Sequence, residues 1–146
     1  MLLWKKGVRM NIYLSGPIYQ NNKQETEDWR TFATQRLFDE GIFTIDPCRN
    51  KATYRNGIHT PGEILFRDLK DVDNADLVLV NMNLVGDKLP IGTVAEVMYA
   101  WSLQKPVVIV HHNDERIKQH PWLRALSVRM FPIVEDALIY IADFWR

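Results

Sequence analysis

The sequence contains one cysteine, Cys48, among its 146 residues. A single thiol closes no internal disulfide, and no Cys/His cluster has zinc-ligand spacing. The expectation is therefore a reducing, cytoplasmic setting and no structural metal. Glycine is sparse as well, at 7 residues. None of them builds a G-x-G-x-x-G turn or a Walker loop, which argues against a nicotinamide dehydrogenase and a phosphate-gripping NTPase. Charge of one sign is missing, with Lys plus Arg equal to Asp plus Glu at 18 each. Without a basic run or stripe, a nucleic-acid polymer is not an expected partner. Long apolar runs are lacking too. Met1 to Arg9 carries three basic residues and only a brief apolar start, too short for a signal peptide or a membrane span. It reads as a short N-terminal extension, with Met10 a possible true start.

What is present suffices for one domain over residues 10–146. At 47% hydrophobic, a chain of this size buries a sizeable core without staples. Apolar runs and helix-period segments alternate from residue 11 onward, the pattern of strands joined by crossover helices. Strands are expected at Asn11-Ser15, Phe43-Asp46, Leu77-Asn81, Val107-Val110 and Phe131-Val134. They are short and mostly unalternated, as strands covered on both faces should be. A first helix from Thr26 to Glu40 would turn Trp29, Phe32, Ala33, Leu37 and Phe38 inward, with Gly41 as its stop. Thr60-Pro61-Gly62-Glu63 opens a second helix with a cap, a proline at its first position and a glutamate at its third. A third runs from Gly92 to Leu103, a short one from Pro121 to Val128, and a last from Glu135 to Phe144. Helices on both faces of a mostly parallel five-stranded sheet make a doubly wound α/β sandwich. The connection from Pro47 to His59 is long for such a fold, and long loops tend to be functional or mobile, so it is a candidate to fold over a ligand.

Ligands of open α/β sheets bind outside the carboxyl ends of the strands. Pro90-Ile91-Gly92-Thr93-Val94-Ala95-Glu96 sets a carboxylate just inside a helix that opens there. Two readings compete for it. Thr93 and Glu96 fit a capping box, or Glu96 projects into the crevice. At the same edge, Tyr13 leads into the Ser15-Gly16-Pro17 turn, although Tyr13 alone is equally a core tyrosine and Ser15-Gly16 a tight turn. On the second helix, Leu65, Leu69 and Val72 form the expected buried stripe, with Asp68 beside it and Asp71 round toward solvent. A lone acid there usually edges a solvated face. Because that helix runs antiparallel to the strands, its early turns and Asp68 lie on the side of Glu96. Asp46, ending the second strand, and Asn81, ending the third, open onto the same edge.

Together, Tyr13-Leu14-Ser15-Gly16-Pro17, Asp68-Leu69-x6-Ala75-Asp76 and Gly92-Thr93-x2-Glu96-x2-Tyr99-Ala100 resemble the nucleoside 2-deoxyribosyltransferase family, with its related deoxynucleoside 5′-monophosphate N-glycosidases. The resemblance extends from Asn11 to about Arg129 and implies a flavodoxin- or Rossmann-like doubly wound fold. It implies Glu96 as a nucleophile on C1′ of a 2′-deoxynucleoside, Asp68 as the acid that protonates the leaving base, and Tyr13 as the hydrogen-bond partner that aims Glu96. A carboxylate suits that chemistry, since it traps an oxocarbenium-like sugar as an ester and releases it with net retention. Ser15, Gly16, Pro17, Gly92 and Thr93 would line the substrate site. No cofactor is implied, because the substrate carries the bond to be broken.

The chain departs from the family pattern in three places. Many family transferases hold a sugar hydroxyl with an aspartate six residues before the nucleophile; here that place is Pro90, with Asp87 as a substitute. The phosphate-preferring relatives use an arginine in the first loop, where this chain has Pro17-Ile18-Tyr19, which favours a free nucleoside. Relatives also complete each site with a polar residue from a neighbouring subunit, and in the matching segment His120-Pro121-Trp122-Leu123-Arg124 that residue would be His120 or Arg124. The expected partners are thus small 2′-deoxynucleosides, free nucleobases and a second copy of the chain, with neither nucleic acid nor membrane. Three functions stay open: deoxyribosyl transfer between bases, hydrolysis of a nucleotide N-glycosidic bond, and a catalytically idle nucleotide-binding module.

Overall fold

The computed structural model of the protein describes residues 9–19, 22–50 and 58–146. The elements follow in the order β1 (Asn11–Ser15), α1 (Lys23–Asp39), β2 (Phe43–Ile45), α2 (Pro61–Asn74), β3 (Leu77–Asn81), α3 (Ile91–Ser102), β4 (Val107–Val110), α4 (Glu115–Lys118), α5 (Pro121–Leu126), β5 (Arg129–Phe131) and α6 (Val134–Tyr140). A π-helical turn, Ile141–Trp145, follows α6. All four strand pairings are parallel, in the order β2-β1-β3-β4-β5. The chain therefore steps outward from β1 to β2 and then returns past β1 to β3. That reversal opens a crevice at the carboxyl ends of β1 and β3, the place where such sheets bind ligands.

Side chains alternate along each strand, so each strand feeds two cores. Ile12, Leu14, Leu77, Leu79, Val108 and Val110 pack with Ala33 and Leu37 of α1 and Ala137 and Leu138 of α6. Tyr13, Val78, Val80 and Ile109 pack on the other face with Val72 of α2, Val97 and Ala100 of α3 and Leu123 of α5. Tyr13 and, by the same parity, Ser15 thus face the layer of α2 and α3, the layer that carries Asp68 and Glu96.

Several expectations need correction. The inward face of α1 is Thr26, Arg30, Ala33 and Leu37. Phe32 and Phe38 lie outside it, 43% and 59% exposed, where Arg36 sits over the Phe32 ring and Phe38 meets Phe43 edge to face. That helix also starts earlier than Thr26, because Asn22 caps it by accepting from the Glu25 N–H. On α2 the buried positions include Asp71, which is not turned to solvent but forms a two-bond ion pair with Arg49 at 2.6 and 2.8 Å. Leu65 is more than half exposed. β5 starts two residues and ends three residues earlier than expected, since Pro132 has no N–H for the ladder and Ile133 already stands at the N-cap position of α6. The last helix ends at Tyr140 and gives way to the π turn. The short α4, capped by Asp114, was not expected at all. Of the long loop proposed to fold over a ligand, residues 51–57 lie outside the described residues, as do residues 1–8 of the N-terminal extension.

Candidate active site

Pairing with β3 carries β1 as far as Ser15, opposite Val80. The next residue must be glycine. A Cβ at Gly16 would lie 2.7 Å from the Asn81 carbonyl oxygen, well inside contact distance. This close approach folds the Gly16-Pro17 turn down over β3 and leaves the Ser15 hydroxyl at the crevice floor.

Glu96 reaches the same point from α3. That helix begins at Ile91 with Pro90 at its N-cap position, where no side chain makes a capping bond, and Thr93 is buried in its first turn. The capping-box reading of Thr93 and Glu96 is thereby overturned. α2 shows a real box, in which the Glu63 N–H donates to Thr60 Oγ1 at 3.1 Å and the Thr60 N–H to Glu63 Oε1 at 3.2 Å. Glu96 instead crosses to β1. Ser15 Oγ donates to its Oε1 at 3.0 Å, and the Tyr13 hydroxyl donates to its Oε2. Two donors on two oxygens fix the carboxylate's plane as well as its position.

Burial governs the electrostatics. It pushes the Glu96 carboxyl up from the ordinary 4.5 to about 7, aided by the charge of Asp68 and opposed by the hydrogen bonds from Tyr13 and Ser15. Burial likewise raises Asp68 to about 6; Asp71 adds to this, while Arg67, Arg49 and Arg30 pull the other way. Tyr13 is raised by burial and by the two acids, so it remains a protonated donor. The Asp68 Oδ1 atom is buried with no hydrogen-bond partner among the described residues. An acceptor stranded in this way costs free energy until a ligand satisfies it, which is a mark of a working site. Asp68 and Glu96 share a cavity of about 690 Å³ with Gly16, Pro17, Ile18 and Tyr19 of the first turn, Leu65 and Leu69 of α2, and Lys88, Pro90, Gly92 and Thr93 at the entry to α3. That volume falls within the range of small-molecule sites. A carboxylate held by two hydroxyls beside a second carboxyl whose pKa is also raised can attack an electrophilic carbon when that neighbour carries the proton to supply.

The sequence pattern of the nucleoside 2-deoxyribosyltransferase family matches residues 12–136. This chain belongs to that family. Among solved structures, a 2-deoxyribosyltransferase of Bacillus psychrosaccharolyticus is similar over 89% of this chain and 91% of its own, at 20% identity and a TM-score of 0.70. A 2-deoxyribosyltransferase of Leishmania mexicana is similar over 92% and 98%, at 16% identity and 0.70. A CMP N-glycosidase of Clostridium botulinum is similar over 92% and 99%, at 13% identity and 0.58. At these identities the likeness is one of fold. No curated relative matches the sequence.

In this deoxyribosyltransferase-family chain the structure gathers Tyr13, Ser15, Gly16, Pro17, Asp68, Gly92, Thr93 and Glu96 at or beneath one cavity. Four other candidates lie elsewhere. Asp46 does not line the cavity; its Oδ1 accepts the Cys48 N–H at 2.8 Å and lies 3.8 Å from Arg30 Nε. Asn81 is hydrogen-bonded to His112 on the wall of a second, shallower hollow beside Trp29 of α1. Asp87 is fully exposed, 3.8 Å from Arg116. His120 caps α5, and with Trp122 and Arg124 it is exposed away from the cavity lining. Asp76, part of the motif, takes the Asn11 N–H at 2.7 Å at the amino end of β1, so its role is to pin the strand. Sequence reasoning passed over Tyr19, whose hydroxyl donates to the Asn83 carbonyl at 2.8 Å and accepts the Val85 N–H at 3.0 Å. It also passed over Lys88, which lines the cavity. Among the described residues, no group of three or more His, Cys, Asp or Glu side chains gathers as a metal site, and no helix is long and apolar enough to cross a membrane.

Proposed function

We propose that the chain transfers the 2-deoxyribosyl group of a 2′-deoxynucleoside from one nucleobase to another, or to water. The observation that carries this reading is the Glu96 carboxylate, held by Tyr13 and Ser15 in a cavity shared with an Asp68 oxygen that has no partner among the described residues. In the first half-reaction a Glu96 oxygen bonds to C1′, and the C1′–N bond breaks with its electron pair going to the base. Asp68 gives its proton to the departing base, which leaves neutral. In the second, a nitrogen of the incoming base attacks C1′ and displaces Glu96, while Asp68 takes back the proton. Two displacements retain the anomeric configuration. Water in place of the second base makes the same machinery a hydrolase.

Hydrolysis of a 5′-monophosphate is the second reading, and Lys88 favours it. It puts a cation in the cavity lining, the kind of charge a phosphate pairs with.

The site is proposed to be completed in a homo-oligomer. Ile91, Val94, Met98 and Trp101 recur along one face of α3 and are 82%, 38%, 40% and 52% exposed, and Trp122 on the neighbouring α5 is 67% exposed. A contiguous apolar stripe of this kind beside a cavity calls for a covering surface. A second copy would bring its 120–124 segment, and with it His120 or Arg124, toward the cavity. Trp101→Glu is expected to convert a dimer-based assembly to monomer by light scattering and to lower activity; an unchanged mass would refute that interface.

The decisive assay is a chromatographic time course with deoxyinosine or thymidine plus adenine, alongside Glu96→Gln. Deoxyadenosine from the wild type but not the variant, with a deoxyribosyl adduct on the wild-type protein by intact mass, supports transfer through Glu96. Free base and deoxyribose alone redirect the reading to a hydrolase, to be repeated with monophosphates. Silence of both proteins on both substrate classes rejects the enzyme reading.

A further inference from the structure

The sheet-facing side of α1 should be apolar, yet its largest fully buried side chain is Arg30, between Thr26 and Ala33. Burying a guanidinium is unfavourable unless its donors are matched, so the position needs an explanation. The fork is matched mostly by peptide carbonyls. Nε donates to Leu14 O at 3.3 Å, Nη2 to Gly16 O at 3.0 Å and Nη1 to Thr26 O at 2.8 Å. Two of these carbonyls flank Ser15, whose hydroxyl holds Glu96. The ionic contact is Asp46, 3.8 Å from Nε, and the Trp29 ring lies 4.7 Å away on α1 itself. The guanidinium is thus a clamp directly behind the Ser15 turn.

Resting on the reading of Glu96 as nucleophile, we infer that Arg30 is a positioning residue. Its fork fixes the Leu14 and Gly16 carbonyls so that the Ser15 hydroxyl stays on Glu96, and its buried charge favours the Glu96 carboxylate from the far side of β1. The groups that face Glu96 make this charge matter. Tyr13 and Ser15 from β1 are neutral donors, Asp68 from α2 is an acid, and Lys88 at the entry to α3 sits in the exposed lining. Arg67, Arg49 and Asp71 act on Asp68 from beyond it, and Asp46 stands beside Arg30. Arg30 is a cation that draws both Glu96 and Asp68 downward against the effect of burial. Lysine could keep the charge but not the three-way fork.

The test compares wild type, Arg30→Lys and Arg30→Met. The Glu96 carboxyl is titrated by carbon NMR of protein labelled at glutamate, its signal assigned with Glu96→Gln, and kcat and KM are measured in parallel. In Arg30→Met the Glu96 titration should move up, and kcat should fall by about 10- to 100-fold with KM nearly unchanged. Arg30→Lys should restore the titration but not kcat, and it decides the matter if the methionine variant fails to fold. A Glu96 titration unmoved in Arg30→Met, or wild-type kcat in Arg30→Lys, overturns the inference. The titration needs no turnover. A wild type inactive on deoxynucleosides would therefore sink the functional reading, while the shift or constancy of the Glu96 signal would still decide whether Arg30 acts on it.

Discussion

Replacing Glu96 with glutamine should make the protein more stable at neutral and alkaline pH while abolishing turnover. Burial raises the Glu96 carboxyl from 4.5 to about 7 in the folded protein, so between these values the folded state holds a proton that the unfolded state has released. Stability of the wild type then falls as pH rises through that window, by about 1.4 kcal/mol per pH unit. Below the window the carboxyl is neutral in both states and the cost vanishes; above it the full cost is present. The whole gap is worth about 3 kcal/mol, and water in the open cavity trims it to about 2–3 kcal/mol. Glutamine never ionises and escapes this cost. Its amide faces one hydroxyl that must turn to accept, but that penalty does not depend on pH. Urea unfolding of both proteins at a series of pH values isolates the effect as a difference curve. The curve should be flat below about pH 4.5, rise to about pH 7 and flatten again. A difference that stays constant across the series would refute the buried-carboxylate argument, whatever its absolute size.

In the proposed mechanism Glu96 acts ionised and Asp68 protonated, so kcat/KM should peak between about pH 6 and about pH 7. It should fall on the acid side as the nucleophile is protonated and on the alkaline side as the proton donor is lost; a plateau extending to high pH would argue against Asp68 as the acid. Tyr13→Phe removes one of the two donors to Glu96 and should cost about 10- to 100-fold in kcat, less than Glu96→Gln, with the acid limb displaced upward. Lys105→Met should destabilise the fold by about 2 kcal/mol in thermal or urea melts without touching the site. The Lys105 ammonium donates to the carbonyls of Val72, Asp73 and Ala75 and closes the carboxyl end of α2. A melt equal to wild type would show that water satisfies those carbonyls just as well.

The fold was legible where burial is symmetrical. β1, β3 and β4 carry runs such as Leu77-Val78-Leu79-Val80 whose residues are all inside, so no face has to be guessed and the expected boundaries coincide with the observed ones. The reading failed where a helix or strand has an exposed side. Counting apolar residues on α1 selects Phe32 and Phe38, but the inward face is centred on Arg30, and a guanidinium satisfied by carbonyls is invisible to a hydrophobic count. The same holds for Asp71, whose burial depends on Arg49 from a distant loop. At β5, Phe131-Pro132-Ile133-Val134 is apolar throughout, yet the missing N–H of Pro132 places the strand before it and the helix after it.

The site separates along a simpler line, the parity of the strands. Tyr13, Ser15, Asp46 and Asn81 all belong to or closely follow the carboxyl halves of their strands, and reading by edge alone sends all four to the crevice. Parallel partners in register point the same way, and successive residues point opposite ways. Tyr13 pairs with Ile45 and Ser15 with Val80, so Ile45 and Val80 share the face of the crevice while Asp46 and Asn81, one residue on, turn to the α1 layer. There Asp46 meets Arg30 and Asn81 meets His112. The two residues that kept the parity of Tyr13 are the ones that hold Glu96. Counting parity from Tyr13 would have removed Asp46 and Asn81 from the substrate-binding set and pointed to α1 as the source of whatever charge answers Asp46. That charge is Arg30, and the support behind the crevice floor therefore comes from the face of the sheet opposite the cavity.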